Sequence, residues 1–436
     1  MHIKKSHIGL VVIIALAVIP IVLWSLMEPL GQRFESNIAI LTSIGQISAL
    51  LGTAMFALSL MLISRLKLLE PYFGGLDRVF HAHRHLGGIG FMLILVHPLV
   101  LAARLVPISV SDAALYLLPS ATDLPKTLGI ISLLIMMALI VITFYFAWKY
   151  QHMLAAHKLL GIGFMLGALH GFLMPSDMGS NLILAIYMAT LVLVGTGVYS
   201  YRTVFKQLVP KHHFMVKEVR RLADNVTEVT LEPTGDPLNF IPGQFIFVSF
   251  KNSQVSSEPH PFSISSSPQE TNLRLTVKAL GDFTSTLSNL EKGTAAVVEG
   301  AFGGFTEERS VAEAEVWIAG GIGVTPFLSR ARALAASGDC SKIIDFFYTA
   351  NTPEEMLFLE EFEALAKTCR NFRIHPHPSK SKGLLSAAVV AEAAGPLQKH
   401  DIFVCGPPRM MASLIDQCKS LGVKSSHIHR EEFSMF

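Results

Sequence analysis

Charge is scarce in this chain. Asp, Glu, Lys and Arg make up 16% of its 436 residues, against about 25% in an ordinary soluble domain. The shortage is also uneven: residues 1–210 carry 20 charged side chains and the remaining 226 residues carry 48. Cysteine is scarcer still, with Cys340, Cys369, Cys405 and Cys418 all in the second half and none spaced as CxxC. That excludes a disulfide framework and the common zinc motifs, and it predicts reduced thiols in a cytosolic domain. A net charge of +2 leaves no basic footprint for a nucleic-acid partner. No EF-hand pattern is present, so no calcium control is expected.

What the chain has instead is apolar length. Hydrophobic residues are 51% of it and the mean hydropathy is +0.48. Runs long enough to span a bilayer fall at about 8–27, 38–63, 85–106, 127–148, 153–173 and 181–201. Six crossings place both termini on one side. That side collects Lys4, Lys5, Arg65, Lys67, Arg78, Arg84, Lys149, Lys158, Arg202 and Lys206, against Arg33, Arg104 and Lys126 on the other. The positive-inside rule then makes the termini and the soluble half cytoplasmic, and the compact layout suggests a bacterial inner membrane. The first run is read as a signal-anchor, because no small-residue cleavage site follows it.

Two of these runs read almost alike, His83 to His97 and His157 to His170, and share the block Ile-Gly-Phe-Met-Leu at the same distance before the second histidine. An ionisable side chain inside a bilayer is costly and marks a functional site by default. His83 and His97 are 14 residues apart, which on a helix is about 21 Å along the axis and about 40° around it. His157 and His170 are 13 apart, about 19.5 Å but about 140° around, so the second copy should unwind or bulge at Gly161, Gly163 or Gly167. The two helices are read as gripping two haems, one at each level. Interfacial histidines with glycines that merely pack helices are the plain alternative, and the favoured one for His81, His85 and His152. A metal carrier fits less well, since no carboxylate sits among the histidines and the levels are too far apart for one ion.

From Lys211 to about Arg309 short alternating runs with turn signals predict a small antiparallel barrel. From Val316 the order strand, glycine turn, helix, strand, helix predicts a parallel α/β domain. Three motifs stand out. His260-Pro261-Phe262-Ser263-Ile264-Ser265 offers an aromatic wall and small hydroxyls suited to an isoalloxazine. Lys278, Gly281 and Thr284 lie where a glycine turn opens a helix expected over 284–290, with free amides for a pyrophosphate. Gly320-Gly321-Ile322-Gly323-Val324-Thr325-Pro326 follows a strand and precedes a helix expected over 327–336, the context for dinucleotide binding. Cys405-Gly406-Pro407 gives a second strand end beside it for a nicotinamide.

With these motifs in place the chain resembles the NADPH oxidase and ferric reductase superfamily over nearly its whole length. The first 205 or so residues look like a ferric reductase-type transmembrane domain, and the rest like a ferredoxin–NADP reductase-type module. The resemblance implies a membrane protein with three parts: a six-helix transmembrane bundle (1–207), a cytosolic antiparallel β-barrel FAD domain (208–310) and an α/β parallel-sheet nucleotide domain (311–436). It implies two b-type haems on His83, His97, His157 and His170, whose iron they would ligate. HPFSIS corresponds to the family's flavin motif, and GGIGVTP and CGPP to its nicotinamide motifs, with Cys405 at the hydride-transfer edge. The ending Ile428-His429-Arg430-Glu431-Glu432-Phe433 resembles one whose aromatic covers the flavin, which implies Phe433, with Phe436 as a rival. The segment Tyr348-Thr349-Ala350-Asn351-Thr352 lacks the basic residue that many relatives have there. NADH is therefore open beside NADPH.

The expected function follows from counting electrons. A nicotinamide gives a hydride, a haem accepts one electron, and FAD stands between to split the pair. The last acceptor lies outside: oxygen giving superoxide, or alternatively a ferric chelate or a dedicated membrane or periplasmic partner.

Overall fold

The computed structural model describes residues 5–146, 150–252 and 255–433, without the side chains of residues 5–7, 150 and 151. The chain divides into two compact units, residues 1–74 with 78–209, and residues 75–77 with 210–436.

Six helices of the first unit are long and apolar enough to cross a membrane: α1 Lys5–Ser25, α2 Asn37–Leu62, α3 Leu76–Ala103, α4 Leu124–Tyr145, α5 Tyr150–Leu173 and α6 Leu182–Thr203. Local chemistry sets their starts. Ser36 caps α2 by accepting from the Ala39 amide, Asp123 caps α4 from Lys126, and Asn181 caps α6 from Leu184. The α3 helix begins nine residues before the expected 85, at Leu76, because its first turns carry Asp77, Arg78, His81 and Arg84 and fall below any hydropathy window. His81, His83 and His85 are therefore helical residues.

Glycine governs how closely these helices pack. A Cβ on Gly52 of α2 would lie 3.0 Å from the Gly90 carbonyl oxygen of α3, and one on Gly90 would lie 3.1 Å from that of Gly52. The two backbones cross with no room for a side chain. The α5 helix is unbroken from Tyr150 to Leu173, which corrects the expected bulge. Its glycines receive neighbours instead: Tyr199 against Gly161, Met136 against Gly163 and Ser132 against Gly167.

The second unit opens with an antiparallel sheet in the order β4-β3-β6-β1-β2-β5. Its strands are β1 His212–Ala223, β2 Val226–Pro233, β3 Phe245–Lys251, β4 His260–Ser263, β5 Leu273–Lys278 and β6 Ala295–Phe302. The two outer strands meet at one bridge, Ile264 to Leu275. Its core gathers Val229, Leu231, Ile246, Val248, Leu275 and Val298. Between β5 and β6 lies α7 Asp282–Thr286, followed by a 3₁₀ turn, in place of the expected helix 284–290.

A five-stranded parallel sheet follows in the order β11-β10-β7-β8-β9. Its strands are β7 Ala314–Gly320, β8 Ile343–Ala350, β9 Phe372–Pro378, β10 His400–Cys405 and β11 Ile428–Glu431. Apolar clusters cover both of its faces, as a parallel sheet requires. The helix α8 Thr325–Ser337 follows β7, and α9 Leu359–Thr368 follows β8. Cys340 and Cys369 form a disulfide with their Cα atoms 5.5 Å apart, which corrects the expectation of four reduced thiols. Separated by 29 residues in sequence, they meet because the loop after α8 and the end of α9 converge. Cys405 and Cys418 are free and buried.

Candidate functional site

The histidines of α3 and α5 meet in pairs. The rings of His83 and His157 stand 6.1 Å apart between centroids and nearly perpendicular. His97 and His170 line one cavity of about 320 Å³. Phe164, midway between His157 and His170 in α5, stacks on Phe56 of α2 at 4.9 Å. The α5 helix carries His157 and His170 without unwinding.

Backbone carbonyls hold three of the four rings. His83 Nδ1 lies 2.9 Å from the Ser59 oxygen, His97 Nδ1 2.9 Å from Gly45 and His170 Nδ1 2.7 Å from Pro125. A carbonyl only accepts, so each Nδ1 carries the proton and each Nε2 presents a lone pair. His170 also lies across Gly129, where a Cβ would sit 2.8 Å from the ring. The cavity at His97 and His170 is lined further by Gln46, Arg104, Tyr116 and Lys126. Behind it a buried Arg33 reaches Gln46 and Asp177, each at 3.3 Å, and covers the Trp24 ring at 3.9 Å. In the sequence Arg33 stands out only as one of the few cations on the outer side. Among the described residues no group of three or more His, Cys, Asp or Glu converges as a metal site. Each level offers two imidazoles, the number an iron needs when a macrocycle supplies its other ligands.

In the second unit His260 stacks on Phe283 at 3.7 Å, and Phe262 faces the same ring at 6.1 Å. Phe283 lies inside the second motif, yet nothing in the sequence marked it as aromatic wall. His260 Nε2 is buried and has no hydrogen-bond partner among the described residues. Burial holds this imidazole below its usual range, hence neutral. Ser263 is buried at the end of β4. Ser265 turns the other way: its hydroxyl donates to the Arg274 carbonyl at 3.0 Å and meets Thr276 at 3.1 Å. Just before α7 opens at Asp282, the Leu280 and Gly281 amides both donate to the Thr284 hydroxyl, at 2.9 and 3.0 Å. Lys278 is the last residue of β5, paired with Val226.

The nicotinamide motifs do meet. A Cβ on Gly323 would lie 2.3 Å from the Cys405 oxygen, and one on Gly406 would lie 3.0 Å from Gly320. Gly321 has φ +53°, the left-handed region that glycine enters without strain. Thr325 and Pro326 open α8. The Cys405 side chain points into the core, and burial, with Glu431 near, pushes its thiol well up. What this strand end presents is therefore backbone and Gly406-Pro407, not a reactive thiol. Phe433 follows β11 and is 42% exposed. Phe436 lies outside the described residues. Asn351 donates to Glu355 at 3.0 Å, and its carbonyl accepts from the Lys380 amide at 3.0 Å.

Three family models match the chain in order. They are a ferric reductase like transmembrane component over 48–168, an FAD-binding domain over 211–323 and an oxidoreductase NAD-binding domain over 317–415. The glycine betaine monooxygenase reductase subunit of Chromohalobacter salexigens is 29% identical over 210 residues, 44% of this chain and 56% of its own length. The phenol hydroxylase P5 protein of Acinetobacter pittii is 28% identical over 239 residues, 52% of this chain and 66% of its own. The chain thus spans between half and two thirds of the length of these relatives. The crystal structure of Amycolatopsis cytochrome P450 reductase GcoB shares 22% identity at a TM-score of 0.44, over 51% of this chain and 70% of that one.

Proposed function

We propose that this chain, a multi-pass NAD(P)H- and FAD-dependent oxidoreductase matching the NADPH oxidase and ferric reductase superfamily, carries electrons across the bilayer on two bis-histidine haems and reduces oxygen to superoxide. The observation that carries the reading is the fixed tautomer of His83, His97 and His170, each bonded through Nδ1 to a carbonyl so that Nε2 is free to ligate. The 6.1 Å between the His83 and His157 rings suits an iron held between two imidazoles, since two bonds of roughly 2 Å plus the ring radii come to about 6 Å. At the other level Arg104 and Lys126 supply two cations that balance the two carboxylates of a haem.

FAD, if bound against His260, Phe262 and Phe283, would supply the conversion of a hydride into single electrons, and haems held by His83, His97, His157 and His170 would supply one-electron transfer. The chain's part is to orient and insulate. The wall of His260, Phe262 and Phe283 holds a flat ring, and the orphaned His260 Nε2 offers a polar contact to it. The turns at Gly320 to Gly323 and at Gly406 let a dinucleotide backbone approach. Phe433 is taken as the aromatic that covers the flavin, with Phe436 as its rival. The domains are taken as 1–207, 208–310 and 311–436, with the soluble part and both termini in the cytoplasm of a bacterial cell. Moving each electron outward then costs or releases about 2.3 kcal/mol per 100 mV, so turnover is electrogenic.

The test is nicotinamide consumption by purified, FAD-supplemented protein with oxygen present and then removed, scoring superoxide by dismutase-sensitive cytochrome c reduction. Oxygen-dependent turnover that yields superoxide is expected. Turnover only with a ferric chelate, or only with an added partner protein, would replace oxygen as the acceptor.

A further inference from the structure

The segment that follows the flavin strand is gripped from two sides. On one side the antiparallel sheet holds it: the Ser265 amide donates to the Arg274 carbonyl at 2.8 Å, and the Ile264 amide donates to that of Gln244 at 3.0 Å. On the other side the nucleotide domain holds it. Arg332 Nη1 donates to the Ser265 carbonyl at 2.7 Å, and the Ser329 hydroxyl donates to the Ser266 carbonyl at 2.7 Å. Both donors belong to α8, the helix that the GGIGVTP turn opens.

Thr325, Ser329 and Arg332 are four and three residues apart, which places them within about 60° of one another on the helix. One face of one rigid helix therefore carries the start of the dinucleotide site at one end and the grip on the flavin strap one to two turns later. Arg332 is itself fixed. Its Nε and Nη2 form a fork onto the Glu361 carboxylate of α9 at 2.7 and 3.0 Å, and only 7% of its side chain is exposed. A buried guanidinium held this way does not wander, and its remaining donor points to one carbonyl.

We infer that Arg332 and Ser329 are positioning residues that set the register between the nicotinamide and the flavin by tying the carbonyls of Ser265 and Ser266 to the nucleotide-binding helix. The inference rests on the reading that a nicotinamide delivers a hydride to a flavin on this module. Neither residue touches the reacting atoms. Hydride transfer is steep in distance, and a displacement on the order of 1 Å can cost about a hundredfold in rate.

The experiment is anaerobic stopped-flow reduction of the flavin in full-length, FAD-loaded protein by NADPH and by NADH, comparing wild type with Arg332→Lys and Ser329→Ala. Arg332→Lys keeps the charge and loses the fork; Ser329→Ala removes one hydroxyl and folds even where a change at Arg332 does not. The limiting reduction rate is expected to fall about thirtyfold for Arg332→Lys and about fivefold for Ser329→Ala. The nicotinamide concentration for half-maximal rate should stay within about twofold. The long-wavelength charge-transfer band between nicotinamide and flavin should weaken in step. In flavin-free protein, amide exchange at Ile264 to Ser266 should rise in both variants. A Ser329→Ala protein with wild-type rate and wild-type exchange would overturn the inference, as would loss of rate explained wholly by loss of bound FAD. Failure of both nucleotides to reduce the wild-type flavin would overturn the electron-donor reading beneath it.

Discussion

The two halves of the molecule lean on different partners for their polar side chains. In the membrane half many of the partners are backbone: the histidine rings bond to the carbonyls of Ser59, Gly45 and Pro125, Tyr187 donates to Leu16 and Tyr199 to Lys158, while Arg33, on Gln46 and Asp177, is the exception. In the soluble half carboxylates gather several donors each: Asp401 accepts from His429 and two amides, Glu315 from Arg330, Lys342 and Trp317, and Glu361 from the fork of Arg332. The cost of desolvating charge explains the difference, because a helix in hydrocarbon carries its own carbonyls for nothing while a second ion must be brought in. Functional side chains accordingly stand out in one half and not in the other. Against an apolar background four histidines are conspicuous, whereas among 48 charged residues an arginine that positions a carbonyl is not.

Breaking the membrane half should give the largest effect. His97→Ala or His170→Ala should remove one of two haems, halving the Soret absorbance per chain and lowering acceptor reduction by about a hundredfold or more. Flavin reduction by nicotinamide should continue at the wild-type rate. Retention of both haems in either variant, measured as haem per protein, would separate the histidine pairs from the cofactor.

In the soluble half the expected losses are of stability and smaller. Burial alone would raise the Asp401 carboxyl, but hydrogen bonds from His429 and from the amides of Ala312 and Val311 hold it well below the usual range. A carboxylate held low in the folded state stabilises the fold above its unfolded value, near pH 4, and that contribution fades as acid approaches the folded value. Asp401→Asn should therefore cost about 3 kcal/mol at pH 7 and flatten the acid limb of a thermal unfolding profile. An unchanged acid limb would show that this cluster does not anchor the residues at 311 and 312.

Much of the fold was legible: six apolar runs became six helices, and the two glycine-flanked strand ends at Gly320 and Gly406 came together as their motifs required. The misses have physical reasons. The α3 helix begins early because helix does not stop where hydropathy does, and α5 stays regular because its glycines receive neighbouring side chains. Ser265 was chosen for its hydroxyl, which the sheet consumes, while its carbonyl is what the nucleotide domain grips. Arg332, Ser329 and Phe283 act through tertiary contacts that no spacing encodes.

The smallest expected effect concerns the disulfide. Two of the four thiols should react with an alkylating agent in unfolded, unreduced protein and all four after reduction, with mass spectrometry placing the protected pair at Cys340 and Cys369. Cys369→Ser should cost about 2 kcal/mol of stability in the oxidised protein and little in the reduced one. Four reactive thiols without reductant would restore the expectation drawn from the sequence.

The most direct test of the whole account is an anaerobic titration of the purified, FAD-supplemented protein with NADPH or NADH, followed at the haem bands. Two haems per chain that reduce fully through the flavin are expected, with no reduction when FAD is left out. A protein without a Soret band, or with haems that dithionite reduces and neither nucleotide does, would contradict it.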